Sequence, residues 1–215
     1  MKRLRRTYYD LFARVYDRVI ALHSRDAGAS ARDFLVRRSD IAANGSLLDL
    51  CTGTGAVAIR ARQATGPGGL IVGVDFSVGM IRRAREKARR STPDGIAFVV
   101  ADAACLPFRA ESFDVVTCSH AMYELRPSVR DRVLREAQRV LRPGGRFLMM
   151  EHCEPTRPVA RLLYRIRLAA VGSSGNRDFA RDEVPFLRPL FSGVECALSD
   201  SGRSKVIVGA KPGTG

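Results

Sequence analysis

The architecture of this chain follows from one stretch, Leu47-Leu48-Asp49-Leu50-Cys51-Thr52-Gly53-Thr54-Gly55-Ala56-Val57-Ala58-Ile59. The apolar residues around Asp49 predict a short buried strand, and residues 56–64 have the pattern of a helix. Gly53 and Gly55 lie in the turn between them. Because they lack side chains, a ligand can approach the backbone there and the helix can pack closely on the strand. The stretch therefore predicts a ligand-binding strand–turn–helix unit.

Two carboxylates give this turn its chemical character. Asp75 comes about 20 residues after Gly55, at the end of a second apolar run, where an acidic residue meets the hydroxyl groups of a bound ribose. Asp49 lies inside the first strand, where it would repel a pyrophosphate but would suit a cationic amino-acid cofactor through charge-assisted hydrogen bonds. The pattern points away from NAD and towards S-adenosylmethionine.

Further motifs follow in a fixed order along the chain. They are Leu48–Gly55, Val72–Ser77 with Met80, Ala101–Phe108, Phe113–Val116 and Arg139–Gly145. As an ordered set, they resemble the motifs of class I S-adenosylmethionine-dependent methyltransferases. The wording Cys-Thr-Gly-Thr-Gly most resembles the ubiquinone/menaquinone-biosynthesis C-methyltransferase branch, which also includes relatives acting on lipids and small metabolites. The resemblance covers roughly residues 45–152 and is much less specific about the substrate.

The resemblance implies a Rossmann-like α/β fold. Strands that alternate with helices predict a doubly wound, mostly parallel sheet, and the family adds seven strands, helices on both faces and an antiparallel last strand. The resemblance also implies S-adenosylmethionine as the cofactor. The implied cofactor-binding residues are Asp49, Thr52, Gly53, Thr54, Gly55, Asp75, Phe76, Met80, Asp102, Ala103 and Ser119. In the family, the carboxylate at the position of Asp102 and the backbone at the position of Ala103 bind the adenine amino group.

Periodicity and turn signals place the elements. Helices are predicted at 7–20, 29–38, 56–64, 77–90, 130–141 and 159–171, and strands at 47–50, 70–74, 96–101, 114–119, 146–151, 194–198 and 205–210. We expect one methyltransferase domain over 1–215. Its parts are an N-terminal helical cap at 1–40, a cofactor-binding core at 45–152, a substrate-covering insertion at 153–190 and closing strands at 191–212.

The composition is strongly basic. Lys and Arg number 36 against 22 Asp and Glu, which gives a formal net charge of +14. Such a balance suits contact with nucleic acid, an anionic membrane surface or an acidic substrate. A compositional origin explains it equally well, because arginines are spread along the whole chain. Two stretches, residues 2–6 and 157–167, set basic residues beside apolar ones and predict contact with anionic lipid.

Several classes of protein are disfavoured. No apolar run reaches 18 residues, so no transmembrane helix is expected, and Asp10 and Arg14 interrupt what would otherwise resemble a signal peptide. The five cysteines are scattered and odd in number, which predicts free thiols without a metal or disulfide. We expect a cytoplasmic protein, with peripheral contact at the inner membrane surface as a further expectation.

His120 and His152 follow the fourth and fifth predicted strands, so both would face the mouth of the site. An imidazole can accept a proton near neutral pH, and a base is needed only when the nucleophile must lose one. We interpret both as candidate catalytic residues, with a hydrogen-bonding structural role as the alternative for each. The residues expected to bind the substrate are Tyr16, Tyr123, Leu162 and Ile166.

The resulting hypothesis is methyl transfer to a small amphiphilic acceptor, such as a quinol precursor or a phospholipid amine. One alternative is a nucleic-acid methyltransferase, which the charge alone favours. No N/D-P-P-Y/F motif follows the fourth strand, where Ser119-His120-Ala121-Met122-Tyr123 stands instead, so nucleic acid is not the expected partner. The other alternative is a non-catalytic interaction module that binds S-adenosylmethionine, in which the loops around His120 and His152 would be dispensable.

Overall fold

A computed structural model describes residues 30–92, 95–153, 161–162, 179 and 182–213. The strands are β1 Ser46–Leu50, β2 Leu70–Asp75, β3 Ile96–Val100, β4 Phe113–Ser119, β5 Leu141–His152, β6 Ser192–Leu198 and β7 Ser204–Ala210. The helices are α1 Ser30–Ser39, α2 Ala56–Thr65, α3 Val78–Ser91, α4 Pro127–Val140 and α5 Val184–Leu187, with a 3-10 turn at Met122–Glu124. The helix predicted at 7–20, and most of the one predicted at 159–171, lie outside the described residues.

The described strands form one seven-stranded sheet in the order β3-β2-β1-β4-β5-β7-β6. Strands β1 to β5 pair in parallel. The last strand, β7, is antiparallel to both of its neighbours, β5 and β6. This topology confirms the predicted doubly wound, mostly parallel sheet with an antiparallel last strand. It brings the carboxyl ends of β1 to β5 to one edge, where ligands bind in open α/β sheets.

Helices cover both faces of the sheet. On one face, Leu47 of β1 packs in a core with residues of α1, α2 and α3. On the other face, Leu48 and Leu50 pack in a core with residues of α4 and α5. All five residues of β1 are buried, as expected for a central strand covered on both sides. In the described ranges, no helix has the length and apolar character needed to cross a bilayer.

Two element boundaries differ from the sequence-based prediction by three residues or more. Helix α4 begins at Pro127, three residues before the predicted start, because proline suits the first helical position, where its missing N–H needs no partner. Strand β5 begins at Leu141 rather than at 146, because Leu141 already pairs with Phe113 of β4. Helix α4 ends at Val140, one residue before the predicted end at Leu141, and the predicted turn signal, residues 143–145, lies within β5.

Phe98 of β3 packs beside two glycines. A Cβ atom on Gly55 would lie 2.9 Å from the Phe98 ring and 3.0 Å from the Cβ of Ala84 in α3. A Cβ atom on Gly73 of β2 would lie 2.8 Å from the same ring and 2.9 Å from Thr52 Oγ1. Gly55 also has a left-handed φ of 78°, which disfavours any larger residue. Gly55 is therefore closely packed, but against Phe98 of β3 and Ala84 of α3 rather than at the predicted contact between the following helix and β1.

Candidate active site

The turn after β1 is held by its own backbone amides. Thr52 N–H donates to the Val74 carbonyl at 2.9 Å, and Gly55 N–H donates to the Thr52 carbonyl at 2.9 Å. Gly53 N–H donates to Asp75 Oδ2 at 3.0 Å. These three amides are therefore engaged within the protein, so the turn is not arranged as a cradle for phosphate.

Asp49 is the buried carboxylate beneath this turn, with an exposed fraction of 1%. Its Oδ2 accepts a hydrogen bond from Thr52 Oγ1 at 2.6 Å, and its Oδ1 accepts one from Thr117 Oγ1 of β4 at 2.8 Å. Burial raises the pKa of Asp49 to about 6, against the opposing effect of the two threonine hydroxyls, and the nearby Asp75 adds to the rise. Ionised Asp49 is therefore costly unless a cation approaches it.

Replacing Asp49 by asparagine is expected to stabilise the protein at neutral pH. The folded-state pKa of Asp49, about 6, lies above its ordinary value of 3.8. The stability contributed by the neutral carboxyl is therefore complete below about pH 4 and is lost as the pH rises towards 6. A pKa difference of this size corresponds to at most roughly 3 kcal/mol. Urea unfolding between about pH 4 and 7.5 measures the difference in the free energy of unfolding between Asp49→Asn and the parent protein.

The matched control for this prediction is Asp114→Asn. Burial raises the pKa of Asp114, but hydrogen bonds from Ser46 and Arg142 outweigh that effect, so the pKa lies below its ordinary value. Asp114→Asn should therefore be less stable than the parent protein at neutral pH, and the difference should shrink as the pH falls, because ionised Asp114 stabilises the fold. Equal stability of Asp49→Asn and the parent protein at every pH would contradict the account of Asp49.

Asp75 lies at the end of β2, directly beside the turn. Its Oδ1 accepts a hydrogen bond from Ser77 N–H at 2.9 Å, and its Oδ2 accepts the one from Gly53 N–H. Ser77 also caps α3, because its Oγ accepts a hydrogen bond from Met80 N–H at 3.1 Å. Each carboxylate oxygen has a second lone pair, so Asp75 can still accept hydrogen bonds from the hydroxyl groups of a ribose.

The loop after β3 lies next to this carboxylate, because Ala101 N–H donates to the Asp75 carbonyl at 3.1 Å. Asp102 is exposed, and its Oδ1 accepts a hydrogen bond from Ala104 N–H at 3.0 Å. Thr54 is buried, and its hydroxyl accepts a hydrogen bond from Lys87 Nζ at 3.1 Å. The structure thus places Asp49, Thr52, Thr54, Asp75 and Asp102 along one edge of the sheet, and the cofactor-binding role of the whole predicted set stays a prediction.

The structure brings the two predicted catalytic histidines together. The His120 and His152 rings are stacked with centroids 4.0 Å apart and an interplanar angle of 18°. His120 has a left-handed φ of 52°, and its N–H donates to the Met150 carbonyl of β5 at 2.7 Å. The structure thus places two imidazoles, side chains that can act as general bases, side by side at the ends of β4 and β5.

Tyr123 lies beside this pair, with its ring edge-on to His152 at 6.4 Å. Its hydroxyl donates to Glu124 Oε1 at 3.1 Å. Among the other predicted substrate residues, Leu162 has an exposed fraction of 60%, while Tyr16 and Ile166 lie outside the described residues. The structure thus places Tyr123 with the histidines and leaves the other three as predictions.

Sequence reasoning missed two groups of buried polar residues. Thr117 binds Asp49, and it lies directly across from Asp49 in the sheet register. Glu151, near the end of β5, is buried together with Glu183. The sequence signal that could have found Glu151 is the one that identifies Asp49, an acidic residue within an apolar strand, and it is present in the run Phe147-Leu148-Met149-Met150-Glu151.

The chemistry of the turn fits the cofactor predicted for it. Two carboxylates, Asp49 and Asp75, lie close enough for each to affect the other's charge. Such a pair favours a cationic ligand and opposes a pyrophosphate. A ligand with an ammonium group, a sulfonium group and a ribose matches this set of acceptors, whereas a dinucleotide does not.

Comparisons with known proteins agree with this assignment. Residues 3–181 match the profile of the ubiE/COQ5 methyltransferase family. A ubiquinone/menaquinone biosynthesis C-methyltransferase from Hahella chejuensis is 34% identical over 159 residues, which are 74% of this chain and 63% of that relative, less than two thirds of its length. A demethylmenaquinone methyltransferase from Shouchella clausii is 30% identical over 203 residues, which are 92% of this chain and 83% of that relative.

A solved structure shows the same fold. The S-adenosylmethionine-dependent methyltransferase from Aquifex aeolicus matches this structure with a TM-score of 0.68 at 12% sequence identity, over 86% of this chain and 93% of that chain. The likeness extends beyond the stretch that contains the sequence motifs.

Proposed function

Because the chain belongs to the ubiE/COQ5 methyltransferase family, we propose that the protein transfers a methyl group from S-adenosylmethionine to a ring carbon of a reduced quinone precursor. The observation that supports this most is the imidazole pair of His120 and His152, which lies at the same edge of the sheet as the Asp49–Asp75 turn. A quinol has hydroxyl protons to lose, and the pair offers a base.

The cofactor side of the site uses the ends of the first three strands together with Ser119, the last residue of β4. When bound, S-adenosylmethionine supplies a methyl group on a positively charged sulfur. Asp49 and Asp75 provide the negative charge that favours this cation, and Asp75 also binds the ribose hydroxyl groups. Asp102 and the backbone of Ala103 bind the adenine amino group. The remaining residues of the cofactor set are Thr52, Gly53, Thr54, Gly55, Phe76, Met80 and Ser119.

The acceptor side uses the ends of β4 and β5. An imidazole nitrogen of His120 accepts the proton of the acceptor hydroxyl, which makes the neighbouring ring carbon more nucleophilic. The stacked His152 ring holds His120 in place. Tyr123 lies edge-on to this pair and adds an aromatic wall for a flat ring. The chain supplies a base and an orientation, and orientation is a large part of any in-line displacement.

The relatives named above favour a quinone-type acceptor over the alternatives. Neither name refers to nucleic acid or to a non-catalytic role. A phospholipid amine remains a second acceptor to be tested. Contact of residues 2–6 and 157–167 with anionic lipid stays a prediction, because only residues 161 and 162 of these stretches belong to the described part of the chain.

The test is a methylation assay with two oxidation states of one acceptor. The protein is incubated with methyl-labelled S-adenosylmethionine and a demethylated naphthoquinone, either reduced or oxidised. Labelled product detected by mass spectrometry is expected from the reduced form alone, because the oxidised form has no hydroxyl proton to lose and no nucleophilic ring carbon. Methylation of phosphatidylethanolamine without methylation of the reduced quinone would overturn the proposed acceptor.

A further inference from the structure

Glu151 is a buried carboxyl at the end of β5 that the proposed mechanism does not use. Its exposed fraction is 2%. Side chains alternate along a strand, so Glu151 points to the same face as Phe147 and Met149, which pack in the core with α4. It therefore lies beneath the acceptor side of the site, on the face covered by α4 and α5.

Glu151 binds the backbone of the turn after β4. Its Oε1 accepts a hydrogen bond from Met122 N–H at 3.0 Å. Met122 begins the 3-10 turn that contains Tyr123, and it follows His120 by two residues. Glu151 itself directly precedes His152. This side-chain hydrogen bond therefore adds to the backbone bond from His120 N–H to the Met150 carbonyl, and both tie the segment of His120 and Tyr123 to the strand that ends in His152.

The cations near Glu151 make close contacts with other groups, although the charge of Glu151 also acts on Arg130. Lys205 pairs with Glu151 in the β5–β7 register, but its Nζ lies 2.6 Å from Glu183 Oε2. The Arg130 guanidinium lies 3.8 Å from the centroid of the Phe179 ring. The other oxygen of Glu151, Oε2, is buried and accepts no hydrogen bond from the described residues. Glu151 therefore has a backbone amide as its partner rather than a salt bridge.

These surroundings favour the neutral carboxyl. Burial, followed by the negative charge of Glu183 and then of Glu124, raises the pKa of Glu151 well above its ordinary value, against the opposing effect of the Met122 and Tyr123 amides. Glu183, at the start of α5, remains ion-paired with Lys205. A neutral carboxyl still accepts a hydrogen bond through its carbonyl oxygen, so the bond to Met122 does not require a charge.

We propose that Glu151 is a positioning residue of the acceptor side: by binding the Met122 amide, it fixes the spacing of His120, Tyr123 and His152. It touches neither cofactor nor acceptor, and it acts through the turn and the imidazole pair. For its effect on turnover, this role rests on the function proposed above. Its effect on the geometry of the two imidazoles does not.

Two substitutions of similar volume separate the hydrogen bond from the packing. Glu151→Gln keeps a neutral acceptor for the Met122 amide, whereas Glu151→Met fills the same space without one. Replacing a buried ionisable group by an apolar residue of similar size often leaves a fold stable, so Glu151→Met is expected to fold. We expect turnover of Glu151→Gln to stay within about threefold of the parent protein. We expect that of Glu151→Met to fall by about 10- to 100-fold, as small misplacements near a reacting centre do.

A spectroscopic readout tests the geometry without turnover. The chain has three histidines, so the Cε1–H region of a proton–carbon correlation spectrum contains three imidazole signals, which His→Gln variants assign. Glu151→Met should shift the His120 and His152 signals, and Glu151→Gln should leave them near their original positions. Asp114→Asn is the control, because Asp114 also accepts a backbone N–H, that of Ser46 at 2.8 Å, at the opposite edge of the sheet.

Each outcome decides the proposal. Shifted imidazole signals and reduced turnover in Glu151→Met, with cofactor affinity unchanged and Glu151→Gln unaffected, support it. Unchanged imidazole signals in a folded Glu151→Met overturn it, as does a loss of activity in Glu151→Gln equal to that in Glu151→Met. If the parent protein methylates no quinol, the proposed function fails, while the spectra still test the positioning.

Discussion

Replacing His120 by alanine is expected to lower turnover with a reduced quinone acceptor by roughly 10²- to 10⁴-fold, the usual contribution of a general base. The His120 ring stacks on His152 at 4.0 Å, at the ends of β4 and β5. Removing it takes away the proposed base for the hydroxyl proton, while the carboxylates of the cofactor turn stay in place. Steady-state kinetics measure the fall in kcat, and calorimetry should show cofactor affinity near its original value.

Variants of His152 decide how the loss of turnover in His120→Ala is interpreted. In His152→Ala, His120 remains but loses its stacking partner, so we expect a smaller fall in kcat. In the double variant, we expect a fall close to that of His120→Ala alone, because residues that act as a unit are not additive. Full activity in both single variants and in the double variant would show that positioning alone suffices and that neither imidazole is the base.

Replacing Asp75 by alanine is expected to weaken cofactor binding at least tenfold. Hydrogen bonds to a charged carboxylate contribute roughly 1.5–3 kcal/mol, which corresponds to about 10- to 150-fold in Kd. The structure adds a second reason, since Asp75 also accepts the N–H groups of Gly53 and Ser77. Its loss therefore loosens the turn and the first residues of α3 as well as removing the ribose contact.

Asp75→Asn distinguishes these two reasons. Asparagine keeps one oxygen acceptor, so it can retain one of the two backbone contacts, and its affinity should lie between those of Asp75→Ala and the parent protein. Asp114→Asn, at the far edge of the sheet, should leave the Kd unchanged. Calorimetry that gave Asp75→Ala the parent affinity would remove Asp75 from the cofactor site.

The parts of the site that follow a local pattern were predictable from sequence. Asp49 and Asp75 each end or interrupt a short apolar run next to glycine-rich or capping residues, and both lie where the motif spacing placed them. The short apolar runs at 114–119 and 146–151 likewise predict strands that end next to His120 and His152. Parallel strands then bring these ends to one edge, so the imidazole pair was foreseeable as a neighbourhood, although its stacking was not.

The remaining features depend on contacts between residues that are distant in the chain. Thr117 reaches Asp49 only because β4 lies next to β1. Glu151 lies near Glu183 because the chain returns to the sheet at α5 after the segment that follows β5. The apolar neighbours of Glu151 in the sequence indicate that it is buried. They do not indicate that Lys205 forms its ion pair with Glu183 rather than with Glu151. Which of two acidic residues pairs with a given lysine depends on the tertiary structure and cannot be predicted from a local sequence pattern.

Phe98 and the two glycines beside it also constrain how this protein can diverge. The Phe98 ring occupies the space that a side chain at Gly55 or Gly73 would need. A larger residue at Gly73 is therefore expected in descendants of this sequence only together with a smaller one at Phe98 and a shift of Thr52, whose Oγ1 would lie 2.9 Å from the new Cβ. Gly55 has less freedom, because its left-handed φ would persist after the ring was trimmed. Phe98 contacts no proposed substrate, yet its size limits which substitutions are tolerated at Gly55 and Gly73.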